Sequence, residues 1–187
     1  MDLVESIGKV TDTSDFSMPL VVFNTYNLKY VYNYYEKLRE FERLALVDDE
    51  NLAQNEVPHY FKTVYIPDDK FLVMGGLERE TSITSSRCFI IDERGKLGVS
   101  SDMHVGRQYM TVCADYPANL IYVIGGYNSE LGLLSSFETF TISARKWSLS
   151  SDEVCLQTAR INAAACKCGP KHIYVFGGVS VDKSTGY

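Results

Sequence analysis

The sequence has no cluster of positive charge. Its 18 Lys and Arg residues are scattered among 24 Asp and Glu residues, which gives a formal net charge of −6 at pH 7. Proteins that bind a nucleic-acid backbone usually carry a basic patch or stripe, so the sequence predicts no nucleic-acid partner. An acidic, solvated surface is the ordinary consequence of such a composition.

Long apolar runs are also missing. No stretch approaches the roughly 20 apolar residues that a membrane-spanning helix needs, so the sequence predicts no membrane partner. The first residues, Met1-Asp-Leu-Val-Glu-Ser, have neither the basic head nor the apolar core of a signal peptide. The five cysteines are odd in number and follow no disulfide-framework spacing. Together these observations predict a reducing, cytoplasmic location.

Common catalytic motifs are absent as well. The sequence contains no Gly-x-Ser-x-Gly elbow, no phosphate-binding loop and no His-Glu-x-x-His pair. Cys166-x-Cys168 with His172 comes nearest to a metal site, but a second pair of ligands is missing. We interpret both cysteines as small buried residues, and the sequence predicts no catalytic residue, no metal site and no cofactor.

The sequence does contain a repeated glycine pair. Three apolar segments, each ending in two glycines, occur about 50 residues apart, at 71–76, 121–126 and 173–178. Glycine costs conformational entropy, so it is retained where the backbone needs a positive φ or lies close to other atoms. We predict that all six are structural, at the end of an inner strand that a neighbouring unit's backbone approaches. These are Gly75, Gly76, Gly125, Gly126, Gly177 and Gly178.

Other features recur with the glycine pairs. Arg107 and Arg160 stand at nearly the same distance before two of the pairs, with a turn signal in between. After a pair come a polar loop, an aromatic or apolar segment, a charged turn and a short final segment. Trp147 lies in one final segment, and Leu97 and Phe41 hold the equivalent positions in earlier units.

Each unit is typical of four short strands joined by turns. Strands of this length cannot bury both faces alone, but they can when units stack face to face. The segment 121–124 is apolar at every position, as expected for a strand covered on both sides. We expect residues 1–18 to be a leader that is poorly ordered or part of a preceding element. The repeats then fill 19–187, as units near 20–47, 57–99, 107–150 and 160–187.

This pattern resembles the kelch repeat of β-propellers. The matching features are an arginine or small residue opening the first strand, a hydrophobic-Tyr-Val-hydrophobic-Gly-Gly second strand, an aromatic third strand and a tryptophan in the fourth. Residues 107–149 and 160–178 carry the pattern well, 57–99 lacks the arginine and the tryptophan, and 20–47 carries it weakly. The alternative is a four-stranded repeat of another kind; the WD-type repeat is shorter, and its dipeptide is missing here.

The resemblance implies an all-β fold, namely a kelch-like β-propeller segment of about three four-stranded blades. Since propellers close with about four to eight blades, we expect an incomplete propeller. The rest of a longer chain, or self-association, would complete it. An uncovered last unit exposes an apolar face and unpaired strand edges, and we therefore expect the isolated chain to be poorly soluble or oligomeric.

Kelch propellers often serve as substrate-receptor or adaptor domains. The resemblance therefore implies a non-catalytic module that binds a protein partner. The alternative is a propeller enzyme, such as a galactose-oxidase-like metal oxidoreductase with copper held by tyrosine and histidine. The alternating tyrosines within 30–35 favour packing over such a site.

Arg107 and Arg160 allow two interpretations. A guanidinium at the mouth of a propeller could bind a carboxylate of a partner. It could instead bind backbone carbonyls of an adjacent unit, or a buried acid. Recurrence at one phase of the repeat favours the structural role, and we expect Trp147 to be structural too, buried between units.

We predict that function lies in the loops between second and third strands and in those that lead to the next unit. These loops emerge on one face, exceed hairpin length and differ between units while the strands agree. They cover 77–86, 127–136, 179–186, 48–58, 99–106 and 150–159. The residues predicted to contact a partner are Glu78, Arg79, Glu80, Tyr127, Asn128 and Glu130.

Overall fold

A computed structural model describes these parts of the chain: 20–23, 30–35, 40–45, 57–68, 70–78, 80–92 and 96–180. In the first three of these ranges it describes the backbone and not the side chains. All regular secondary structure in the described ranges is β-strand, which confirms the predicted all-β fold. No helix in these ranges is long and apolar enough to cross a membrane.

The first sheet has three antiparallel strands that pair in chain order. They are β1 (Leu20–Phe23), β2 (Tyr30–Tyr35) and β3 (Glu40–Ala45). Phe41 lies opposite Tyr34 in this sheet. The predicted packing of Phe41 and of the tyrosines in β2 falls outside the described side chains.

The second sheet has four antiparallel strands joined as consecutive hairpins. They are β4 (Lys62–Ile66), β5 (Lys70–Met74), β6 (Cys88–Asp92) and β7 (Leu97–Val99). Leu97 is buried and pairs with Ile91, whereas a gap-free alignment with the next unit places it opposite Ile90. The register differs because Asp92 closes the turn. Its N–H donates to the carbonyl of Lys96, and its carboxylate accepts the N–H of Lys96.

The third sheet is also four-stranded, with a small hairpin inserted in its second loop. Its strands in chain order are β8 (Thr111–Asp115), β9 (Leu120–Ile124), β10 (Tyr127–Asn128), β11 (Gly132–Leu133), β12 (Phe137–Thr141) and β13 (Lys146–Leu149). The sheet order is β13-β12-β9-β8, and β10 pairs with β11 alone. The sequence pattern predicts four strands in each unit and does not reveal this hairpin, because such short strands show no periodic pattern.

Trp147 links the third sheet to the second. Its ring packs against Phe140 at a centroid distance of 5.0 Å, and its Nε1 donates to the carbonyl oxygen of Ser101 at 2.9 Å. Ser101 follows β7 and so belongs to the connection from the preceding unit. The indole is therefore buried at the junction of two units with its polar atom satisfied.

The apolar core lies between successive sheets. Alternate side chains of a strand point to opposite faces, so each sheet can pack against a neighbour on either side. Val64, Val112 and Ala114 pack against a cluster of buried side chains from the second and third units. The cluster consists of Ile66, Leu72, Met74, Cys88, Ile90, Met103, Met110, Ile121, Val123, Phe140 and Trp147. Its burial stabilises the stacking by about 25 cal/mol per Å² of apolar surface removed from water.

The last two described strands are β14 (Ala164–Cys168) and β15 (His172–Phe176), which form an antiparallel pair. One face of the pair lies against β8, where Thr111 Oγ1 donates to the carbonyl oxygen of Ala163 at 2.7 Å. The other face is exposed within the described residues. β14 therefore continues the stacking direction set by the second and third sheets.

Cys166 and Cys168 lie on this exposed face together with Tyr174 and Phe176. The prediction that these two cysteines are small buried residues is wrong. The equivalent cysteine of the preceding unit, Cys113, is buried because β14 lies next to it. Burial at this position thus depends on the next sheet and not on the cysteine's own unit.

A partly buried ion pair joins the third and fourth units. Lys167 Nζ donates to Asp115 Oδ2, and the same ammonium group donates to the carbonyl oxygen of Pro170 at 3.2 Å. The hydrogen bond from Lys167 holds the pKa of the Asp115 carboxyl below its usual value. Asp115 therefore stabilises the native state as a carboxylate.

We predict that Lys167→Met destabilises the protein at neutral pH and much less in acid. Because the native pKa of Asp115 is lowered, its stabilisation is present above the unfolded pKa of about 3.9 and is lost as pH falls through the lower native value. Urea midpoints from about pH 7 to pH 2 test this. The control Lys171→Met removes an exposed lysine with no ion pair among the described residues. A pH-independent difference between the Lys167 variant and the native protein would contradict the prediction.

Candidate functional site

The first glycine of each pair lies where the next unit approaches. Gly75, Gly125 and Gly177 have φ values of 60°, 62° and 61°, in the left-handed region. A Cβ atom on Gly75 would lie 2.5 Å from the carbonyl oxygen of Arg107, and one on Gly125 would lie 2.6 Å from that of Arg160. At Gly177 no described atom lies within 4 Å of such a Cβ.

The second glycine of each pair meets a different neighbour. A Cβ on Gly126 would lie 2.8 Å from the carbonyl oxygen of Gln108, and one on Gly178 would lie 2.5 Å from that of Ile161. Both contacts are within one unit, at the start of its first strand. An added Cβ would therefore meet the next unit at Gly75 and Gly125, whereas Gly76 and Gly126 contact the next unit through a hydrogen bond from their N–H groups.

Arginines precede two of the glycine pairs, and Arg107 forms hydrogen bonds both to the preceding unit and within its own unit. The carbonyl oxygen of Arg107 accepts the N–H of Gly76 in the preceding unit at 2.9 Å. Its guanidinium Nη1 donates to the carbonyl oxygens of Gly125 at 3.1 Å and Ser136 at 3.3 Å. The structural interpretation allowed bonds to backbone carbonyls of an adjacent unit or to a buried acid, and the first of these alternatives needs correction. The side chain binds its own unit, and the main-chain carbonyl makes the bond between units.

Arg107 is also paired with a buried acid. Its Nη2 donates to Glu138 Oε1 at 2.8 Å, and both side chains are 0% exposed. Burial lowers the pKa of Arg107, and the charge of Glu138 opposes that shift. Such a pair is stable only when the remaining polar atoms are satisfied. The arginine can therefore offer no guanidinium to a partner.

Glu138 fixes the connection that leads into the third unit. Its Oε2 accepts the backbone N–H of His104 at 2.7 Å and lies 3.0 Å from His104 Nδ1. Its Oε1 accepts the N–H of Val105 at 3.0 Å. The carboxylate thus holds the loop 99–106 in place through bonds to the backbone of that loop.

Arg160 repeats part of this arrangement. Its Nη1 donates to the carbonyl oxygen of Gly177 at 2.7 Å and its Nε to that of Thr158 at 3.2 Å. Arg160 is only half-buried and forms no ion pair with a described residue. In the second unit, Pro58 holds the equivalent position, since His59 and Leu77 bridge as Gln108 and Tyr127 do.

We call Arg107, Glu138 and the backbone groups that they bond the frame. Four loops join above the frame into one layer. We call residues 77–86, 99–106, 127–136 and 150–159 the loop layer. Thr84 and Ser129 from different units share hydrogen bonds of 3.0 to 3.3 Å. Met103 N–H donates to the carbonyl oxygen of Ser86 at 3.0 Å. The loop layer is therefore tied together by hydrogen bonds and continuous across two units.

Two of the residues predicted to bind a partner, Glu78 and Asn128, are already held by hydrogen bonds to other residues. Glu78 is bound by Arg87 through two hydrogen bonds of 2.7 and 3.0 Å. Asn128 is also engaged, since its Nδ2 donates to Gly106 at 2.6 Å and its Oδ1 accepts two loop N–H groups at 2.9 Å. Their side chains hold the loops and are not free to bind a partner in this structure.

Other predicted residues remain available on the loop layer. Glu80 and Glu130 are exposed, and Tyr127 is half-buried. Arg79 lies outside the described residues, as do most of the loops predicted at 48–58 and 179–186. The Thr84–Ser129 hydrogen bonds bring the loops of Glu80 and Glu130 side by side.

Besides Val99 at the end of β7, the loop layer has three exposed apolar residues that sequence reasoning missed. Ile83, Leu131 and Val154 are 50%, 67% and 57% exposed. Ile83 stands alone among polar residues, whereas Leu131 and Val154 each begin a short apolar stretch within a polar loop, namely 131–134 and 154–156. These stretches are too short for a strand or helix pattern to include them.

Within the described residues, no group of three or more His, Cys, Asp or Glu side chains is arranged to hold a metal ion. His172 lies opposite Cys168 across β14 and β15, so it does share a strand pair with the two cysteines. These three side chains still do not form such a group.

Comparison with protein families gives one match. The protein family described as Kelch motif matches residues 111–152, which contain strands β8 to β13. No curated protein matches the chain. The matched residues include Gly125, Gly126 and Trp147, and the buried Arg107 lies just before them. The chain therefore carries a kelch motif at residues 111–152, within a series of antiparallel sheets that is consistent with a kelch-like propeller segment.

Proposed function

We propose that this chain is a non-catalytic protein-interaction module that presents its loop layer to a protein partner, as an adaptor, scaffold or substrate receptor. The kelch motif supports this class of function. The observation that carries the proposal is the contrast between the frame and the loop layer above it. The frame is buried and bonded, whereas the loop layer exposes apolar side chains.

The frame supports the proposal because it holds the loops in defined positions. Arg107 and Glu138 are fully buried, and the bonds of Glu138 reach the backbone of the loop 99–106. A surface that is fixed before binding loses less conformational entropy when a partner binds. A rigid scaffold that carries variable loops is a common way to build a binding surface.

The exposed loop residues supply contact area. Ile83 and Leu131 are at least half exposed in neighbouring loops that the Thr84–Ser129 bonds join. Exposed apolar residues rimmed by polar ones often mark protein-binding surfaces. We propose this surface, including Glu80, Tyr127 and Glu130, as the partner site.

Site-specific photo-cross-linking in the source cells tests the proposal. A photoreactive residue at Leu131 or Ile83 should give a discrete cross-linked product with another polypeptide. The control position is Lys171, an exposed residue of the turn between β14 and β15, at the edge opposite the loop layer. Products from position 171 alone would contradict the proposed surface. Stoichiometric copper, iron or zinc with an associated turnover would contradict the non-catalytic role.

A further inference from the structure

We infer that the loop layer binds a segment of a partner protein that carries Lys or Arg together with large apolar side chains. The inference rests on the proposed function and adds the chemistry of the partner. Three independent features of the described residues lead to it: the balance of charge, the exposed apolar side chains and one buried amide oxygen.

The loop layer is strongly acidic. Its only Lys or Arg is Arg79, and its one histidine, His104, is bound to Glu138. Acidic residues of one sign create a potential that attracts basic segments and disfavours acidic ones. Five exposed carboxylates of the layer form no ion pair with any described residue: Glu80, Asp102, Glu130, Asp152 and Glu153.

The apolar residues of the layer are held at fixed points. The carbonyl oxygen of Ile83 accepts the N–H of Glu78 at 2.9 Å, and the N–H of Leu131 donates to Asn128 Oδ1 at 2.9 Å. Val154 is fixed in the same way, by a bond from its N–H to Ser151 at 3.0 Å. Apolar side chains on an ordered backbone offer contact area to large apolar side chains of a partner.

Gln108 lies at the base of the layer. Its N–H and carbonyl oxygen bond to Tyr127 of the layer at 3.0 and 2.9 Å, and the residue is only 7% exposed. Its Oε1 is buried and has no hydrogen-bond partner among the described residues. A buried acceptor without a donor is costly. Lys and Arg carry donors and no acceptor, so a Lys or Arg of a partner can supply the missing donor.

Fluorescence anisotropy with three labelled pools of 12-residue peptides tests the inference on the full 187-residue chain. The first pool combines Lys and Arg with Leu and Phe, the second combines Asp and Glu with Leu and Phe, and the third combines Lys and Arg with Ser. We expect the first pool to bind at least about tenfold more tightly than either other pool, because attraction and apolar contact act together. Raising the salt concentration should weaken its binding.

Matched variants locate the binding. Glu80→Gln with Glu130→Gln should weaken the first pool about fivefold, as expected for two exposed charge contacts. Asp68→Asn removes a carboxylate from the turn between β4 and β5, and Asn tolerates its φ of 67°. That control should change affinity less than about twofold. Gln108→Leu should weaken the first pool without lowering the melting temperature, because it removes an unpaired buried oxygen.

The outcomes separate the inference from the proposed function. Binding that depends on Leu131 and Ile83 but favours the acidic pool would overturn the partner chemistry and leave the interaction role standing. Equal binding of all three pools, or no binding of any pool, would also overturn the inference. Loss of binding in Asp68→Asn but not in the Glu80 and Glu130 variant would overturn both.

Discussion

Replacing Arg107 by methionine is expected to lower the free energy of unfolding by about 3–5 kcal/mol. The substitution leaves the Glu138 carboxylate fully buried without its cation. It also frees the carbonyl oxygens of Gly125 and Ser136 from their donors. Urea unfolding followed by Trp147 fluorescence measures the change, since the indole lies at the junction of the second and third units.

Arg160→Met is the matched control for Arg107→Met. Both arginines stand at one phase of the repeat and bond the carbonyl of their own first glycine. Arg160 lacks a buried acid among the described residues, so its replacement should cost only about 0.5–1.5 kcal/mol for lost hydrogen bonds. Equal losses of unfolding free energy in the two variants would show that the buried ion pair is not the cause of the destabilisation in Arg107→Met.

A second substitution separates the buried charge from the lost bonds. Glu138→Gln added to Arg107→Met removes the unpaired charge and keeps an amide oxygen for one of the two N–H groups, of His104 and Val105, that bond different oxygens of the carboxylate. We expect it to recover more than half of the loss, because an uncompensated buried charge is the largest part of it. A double variant less stable than Arg107→Met would contradict this explanation.

The repeated parts of the fold could be predicted from sequence because their signals recur. The six glycines, Arg107 and Arg160 recur at fixed phases of a period of about 50 residues, and Trp147 shares its phase with the apolar residue Leu97. A feature that recurs is less likely to be accidental than one that occurs once. For this reason the all-β architecture and the kelch motif were accessible without coordinates.

Features that occur only once were missed. Glu138 lies in β12 between two half-buried residues, and such alternation usually places the polar side chain in solvent. Here Arg107 lies opposite and reverses that expectation. Sequence alone does not reveal such a pair, because the two residues come from different segments and no other described unit repeats the acid.

The prediction that Cys166 and Cys168 are buried in the last described unit was wrong for a related reason. Cys166 is apolar enough for a core, and its equivalent Cys113 is buried. Burial in a stacked array depends on the neighbouring unit as much as on the residue itself. A prediction from composition treats both cysteines alike, whereas the structure covers one of them and leaves the other exposed.

Replacing Gly125 by alanine is expected to destabilise the protein by about 2–5 kcal/mol. Its φ of 62° costs a residue with a Cβ about 1–2 kcal/mol. The added atom would lie 2.6 Å from the carbonyl oxygen of Arg160, and relieving that contact costs about 1–3 kcal/mol more. The same oxygen accepts the N–H of Gly126 at 2.9 Å, so a shift would also weaken this bond between units.

Gly177→Ala isolates the part of that loss which arises between units. Gly177 has a φ of 61°, nearly that of Gly125, but no described atom lies within 4 Å of a Cβ placed there. The backbone strain is therefore shared, and Gly177→Ala should cost only about 1–2 kcal/mol. The difference between the two variants, read from urea midpoints, measures the close approach of Arg160 to Gly125. Equal losses would show that the left-handed backbone, and not the neighbouring unit, is what requires glycine at this position.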